Sequence, residues 1–89
     1  MSRHEFEQDG VRLAIGWDRP LATFFLEVWT GTEVDEDDGP SIWLGASHGE
    51  APSPEPLLVV ARRHLPSLPK TIGRQLRVDQ LMAPVQRRL

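Results

Sequence analysis

The chain has 89 residues, 39% of them hydrophobic and 26% charged, with a formal net charge of −3 and no cysteine. That length and composition suit one globular domain rather than two. The missing thiols exclude a disulfide framework, a thiolate metal site and a cysteine nucleophile, and they fit a reducing cytoplasm.

The first element is a β-hairpin over His4 to Trp17. Asp9-Gly10 is the dipeptide of a type I′ turn, whose two central residues both take positive φ. With that loop Phe6 pairs with Leu13 and His4 with Ile15 on one face, while Glu7 pairs with Arg12 on the other. "WDRPL" turns the chain next, Pro20 fixing φ and Asp18 bonding nearby amides.

A third strand follows over about 22–30. Antiparallel pairing is expected to set Ile15 opposite Phe24, Leu13 opposite Leu26 and Arg12 opposite Glu27, so that Arg12 lies between Glu7 and Glu27. "GTEVDEDDGP" is an acidic loop, "SIWLGAS" a short fourth strand and "HGEAPSPEP" a second loop. The period then changes. Ser53 is a candidate N-cap with Pro54 at the first helical position, and Leu57, Leu58, Val60, Ala61 and Leu65 share one side of a helix that Pro66 stops. "SLPKTIGRQLRVD" reads as a second helix turning Leu68, Ile72 and Leu76 inward.

This order predicts a single α+β domain over 1–89: a four-stranded antiparallel meander sheet (about 3–46), two C-terminal helices (about 54–79) packed on one face, and a tail over 80–89. The helices are expected to cover the face of Phe6, Leu13, Ile15, Phe24, Leu26, Val28, Ile42 and Leu44. The opposite face then holds Ala14, Gly16, Phe25, Trp29, Trp43 and Gly45. Three aromatics left wet forgo roughly 1.5–3 kcal/mol each. Phe25, Trp29 and Trp43 are therefore expected to be partly exposed in a monomer and to form a protein interface. The competing reading folds the tail or a loop over them.

"GWDRPLATFF", the later "WLG" and "LPKTIGRQLRVDQ" resemble a group of short uncharacterised bacterial proteins with a Gly-Trp-Asp-x-Pro-Leu-x-Thr-Phe-Phe-like signature. The likeness spans Gly16 to Gln80 and implies neither an activity nor a catalytic residue.

Other constellations suit binding better than catalysis. Residues 1–50 carry eleven acids and three bases, hence −8; residues 51–89 carry two acids and seven bases, hence +5. Glu33, Asp35, Glu36, Asp37 and Asp38 form the densest acidic run. It fails the EF-hand template, because from Glu33 the sixth position is Asp38 and the twelfth is Leu44. A solvated loop that binds no metal is expected there; a carboxylate-rich loop can also imitate a phosphate backbone.

Lys70, Arg74 and Arg77 fall within an arc of about 60° on one continuous helix, which makes them candidate phosphate contacts. An acidic whole and the lack of interleaved aromatics disfavour nucleic acid. His4, His48 and His64 lack metal-ligand spacing. Ser47, His48 and Glu50 lie too close together in one loop to converge as a triad. No phosphate-binding glycine motif, cofactor site or catalytic residue is identified. "MSRHEFEQDG" lacks a signal-peptide core, and "PLLVVA" is far short of the ~18 residues of a membrane span.

The expected function is thus a small non-catalytic, cytoplasmic protein-interaction module. Its outer sheet face would meet another protein or a second copy of itself, with no membrane involved. Two alternatives stand beside it: a mobile-element inhibitor or nucleic-acid mimic acting through the acidic loop, and nucleic-acid binding through the basic helix face.

Overall fold

The computed structural model describes residues 2–30 and 40–82. Its first two strands are β1 (His4–Gln8) and β2 (Val11–Asp18), joined by Asp9 and Gly10 at φ 51° and 80°. Both values are positive, as the two-residue turn requires. The hairpin register follows: His4 lies opposite Ile15, Phe6 opposite Leu13 and Glu7 opposite Arg12. β3 (Thr23–Trp29) and β4 (Ile42–Leu44) complete an antiparallel sheet in the order β1-β2-β3-β4. Two helices follow, α1 (Glu55–His64) and α2 (Ile72–Met82), so the fold is α+β.

One register differs from expectation. Ile15 faces Leu26, Leu13 faces Val28 and Arg12 faces Trp29, a shift of two residues. The strands continue to Asp18 and Thr23, leaving only residues 19–22 for the turn. Ala22 donates to the Arg19 carbonyl at 3.0 Å and adopts φ 52°, and Asp18 Oδ1 accepts from the Leu21 amide at 3.3 Å. The added Trp17–Phe24 pair packs edge-on at a centroid distance of 4.8 Å, which rewards the longer pairing. Because strand side chains alternate with period two, a two-residue shift leaves every side chain on its expected face.

The inner face builds the core. Leu13, Ile15 and Trp17 of β2 join Phe24, Leu26 and Val28 of β3 beneath Leu57 and Ala61 of α1 and Ile72 and Leu76 of α2. Leu65 and Leu68, in the connection between the helices, close the gap. α1 lies against β3 and α2 against β2. Trp17 is a core member that the expected core face omitted. Its buried indole N–H has no hydrogen-bond partner among the described residues, a cost of about 1–3 kcal/mol set against burial of a large ring.

The helix boundaries also move. Pro54, not Ser53, is the N-cap of α1, with no side-chain cap, and Leu58 donates to its carbonyl at 2.9 Å. Pro56 lies in the first turn and brings no N–H, so fewer orphan donors need a cap. After Pro66, Arg62 fastens the connection by donating to the Leu68 carbonyl at 2.9 Å and the Pro69 carbonyl at 3.3 Å. α2 runs on to Met82, three residues past the expected end. It is tied to β1 by His4 Nε2 and Asp79 Oδ2 at 2.7 Å. No helix among the described residues is long and apolar enough to cross a membrane.

Candidate functional site

The outer face is organised as cross-strand rows. Glu5, Ala14, Glu27 and Trp43 line up across all four strands. Gly16 and Phe25 form the neighbouring row on one side; Glu7, Arg12 and Trp29 form the row on the other.

The three aromatics meet different fates. Phe25 is only 6% exposed, which corrects the expectation that it stands partly open. Among the described residues its cover includes the chain's own residues 2–3. The Ser2 amide donates to the Trp17 carbonyl at 2.9 Å, and the Trp17 amide donates to Ser2 Oγ at 3.0 Å. These bonds lay residues 2–3 across Gly16. A Cβ there would stand 2.1 Å from the Ser2 carbonyl oxygen and 2.9 Å from the Phe25 ring. The Arg3 guanidinium then lies 6.0 Å from the Phe25 centroid. Trp29 is half-buried, with the Arg12 guanidinium 4.6 Å from its ring centroid. Arg12 thus caps an aromatic instead of bridging Glu7 and Glu27, and Glu27 pairs with Arg3 at 2.8 Å. Trp43 is the most open of the three, 59% exposed on the three-residue β4, the outermost strand among the described residues.

Beside Trp43 the surface opens into a cavity of about 170 Å³. Phe25, Leu21 and Trp43 give it apolar walls, Gly45 and Ala46 one rim, and Arg3, Asp18 and Glu27 its polar groups. The Gly45 rim is fixed from both sides. At φ +80° a Cβ on Gly45 would meet the Phe24 carbonyl oxygen at 2.0 Å, so the backbone lies directly on β3. The Gly45 amide donates to Glu50 Oε2 at 2.8 Å, and that bond, before the others, holds the Glu50 carboxyl below its ordinary value. The segment after β4 is laced to β3 as well: the Phe24 amide donates to the Ala51 carbonyl, and Ala51 donates to Thr23 Oγ1 at 2.7 Å.

The charges are unbalanced. Arg3 donates to Glu5 at 2.6 Å and to Glu27 at 2.8 Å, and these two bonds, the Glu5 bond first, raise its pKa above the ordinary value. The same guanidinium holds the Glu5 carboxyl below the usual range. One cation therefore serves two carboxylates. Asp18 adds a third, whose hydrogen bond among the described residues goes to the Leu21 amide. A cavity of this size admits one side chain; drug-sized ligands need about 300–1,000 Å³.

Other candidate residues are not gathered here. Glu33, Asp35, Glu36, Asp37 and Asp38 lie outside the described residues. Lys70 precedes α2 while Arg74 and Arg77 lie on it; all three are exposed, and Arg77 pairs with Glu55 at 2.5 Å. Glu50 turns to the Gly45 and Ser47 amides, leaving Ser47, exposed His48 and Glu50 without a triad arrangement. Arg3, Asp18 and Leu21 were absent from the expected site. Of these, Arg3 shares the parity of Glu5 and Glu7 in β1, which was the one signal that placed it on this face. Compared with family models, curated proteins and solved structures, the chain matches none.

Proposed function

We propose that this chain is a small non-catalytic protein-interaction module whose outer sheet face receives another protein at Trp43 and the adjoining cavity. The observation that carries the reading is the exposure of Trp43 beside a cavity that Phe25 also lines, while Phe25 is buried and Trp29 half-buried beside Arg12. Tryptophan next to a pocket is the composition of an interface hot spot. Among the described residues β4 is the outermost strand beside β3, a position that suits addition of a strand from a partner. A foreign partner fits better than a second copy. The face sets two carboxylates, Asp18 and Glu27, against one cation, Arg3, at the cavity, a balance that a partner with a basic surface complements.

The test compares wild type and Trp43→Ala as baits in an extract of the source organism, with hydrogen exchange on the recovered complex. Trp43→Ala should lose a partner that wild type retains, and that partner should slow exchange at the β4 amides. Equal capture by both baits, with β4 exchange unchanged, defeats the reading. Light scattering that shows concentration-dependent dimers sensitive to Trp43→Ala would replace the foreign partner by a second copy.

A further inference from the structure

We infer that the cavity beside Trp43 is a receptor for one arginine side chain carried by the partner protein, a step that rests on the outer face being the contact surface. Three observations converge on a cation with a long apolar stem. The cavity holds about 170 Å³, space for one extended side chain and little more. Its walls supply Phe25, Leu21 and Trp43 for a stem, and its polar groups are two carboxylates, Asp18 and Glu27, against the single cation Arg3. Arg3 itself is shared with Glu5, so Arg3, Glu5, Glu27 and Asp18 together leave a surplus of two negative charges on this part of the face.

The preference for arginine over lysine comes from how the site already treats a guanidinium. Arg3 places its planar head 6.0 Å from the Phe25 centroid and donates to Glu27 at 2.8 Å. Arg12 sets a second guanidinium against an aromatic, 4.6 Å from the Trp29 centroid. The outer face thus sets a guanidinium near two of its aromatics, and among the described residues Trp43 has none beside it. An incoming arginine would lie along the Trp43 ring with its fork toward Asp18, whose carboxylate is bonded here only to the Leu21 amide among the described residues. A planar fork suits that combination of ring and carboxylate better than a compact ammonium.

The experiment uses the intact chain and small probes. N-acetyl-arginine-amide is titrated in a ¹H–¹⁵N correlation experiment against N-acetyl-citrulline-amide, which has nearly the same shape and no charge, and against N-acetyl-lysine-amide. The arginine probe should shift the Trp43 indole N–H and the Gly45 and Ala46 amides along one saturating curve. Citrulline should bind about tenfold more weakly, and lysine should fall between them. Asp18→Asn keeps an acceptor for the Leu21 amide while removing the charge, and should weaken the arginine probe about threefold to tenfold. Equal affinity for arginine and citrulline overturns the inference, as do shifts centred away from Trp43 and Gly45, or no saturable shift at all. Any of these leaves the Trp43→Ala capture result standing, so failure here is distinguishable from failure of the interaction surface itself.

Discussion

Gly16→Ala perturbs the one place where two layers of the outer face meet. A Cβ at this position stands 2.1 Å from the Ser2 carbonyl oxygen and 2.8 Å from its carbonyl carbon, both backbone atoms that cannot rotate away. Residues 2–3 must lift. Lifting breaks the Ser2–Trp17 backbone bond at 2.9 Å and the Trp17–Ser2 Oγ bond at 3.0 Å, together about 1–3 kcal/mol. It also uncovers part of Phe25, adding about 1 kcal/mol for partial loss of a burial worth roughly 1.5–3 kcal/mol when complete. The smaller unfolded-state entropy of alanine returns about 0.4–1 kcal/mol. The net loss is about 2 kcal/mol, or roughly 8–16 °C in Tm for a domain of this length. Urea unfolding followed by tryptophan fluorescence measures the stability, and hydrogen exchange at the Trp17 amide reports the strap directly. A variant within about 0.5 kcal/mol of wild type, with the Trp17 amide still protected, would refute the account of how Phe25 is covered.

Phe24→Ala, at a fully buried position edge-on to Trp17, should cost about 3–5 kcal/mol in the same urea assay, whereas exposed Trp43→Ala should stay within about 0.5 kcal/mol. Equal losses would mean that the two faces are not inner and outer as described. Burial pushes the Asp79 carboxyl up, but hydrogen bonds from His4, Gln75 and Ser2 outweigh it, and the group lies below its ordinary value of 3.8. A depressed carboxyl stabilises the fold above its unfolded pKa and loses that contribution as pH falls through the folded one. Asp79→Asn should therefore cost about 1 kcal/mol near neutral pH and progressively less below about pH 4, measured as urea midpoints across pH. Arg77→Ala breaks an exposed pair with Glu55 and should move stability by about 0–1 kcal/mol, diminishing in high salt.

How much of this was legible in the chain varied with the range of the determinant. Asp9-Gly10 announced its turn because positive φ at two successive residues admits few alternatives, and the apolar alternation on either side agreed with it. The face of every strand residue followed from parity, which is why Trp43 was placed on the outside. The β2–β3 register was misjudged because "WDRPL" encodes a turn without encoding its length. The choice was made by Trp17 meeting Phe24, a tertiary contact. The α1 cap was misassigned to Ser53 because the helix starts one residue later, with Pro54 as its N-cap, where Pro56 in the first turn leaves one orphan donor fewer to cap. The cover over Phe25 was the least accessible feature. It depends on Ser2 and Arg3, too few residues to show a period, reaching across a glycine whose lack of a side chain matters only once the strands are paired. The cavity was unreadable for the same reason, since residues from positions 3 to 46 meet there only in the folded sheet.

β1 acquires a further role from its position. Behind it lies β2, whose run Leu13–Trp17 is buried throughout and reads "LAIGW", uncharged and rich in residues that favour strands. Such a segment left at a sheet edge is a template for stacking against copies of itself. β1 occupies that edge and presents Glu5 and Glu7, with Arg3 just before them, where β2 would have presented bare backbone. It is anchored from the inner side through His4 to Asp79, and through Arg3 to Glu27 from the outer side. A strand of five residues thus covers the β2 edge with charge, the arrangement that discourages edge-to-edge pairing.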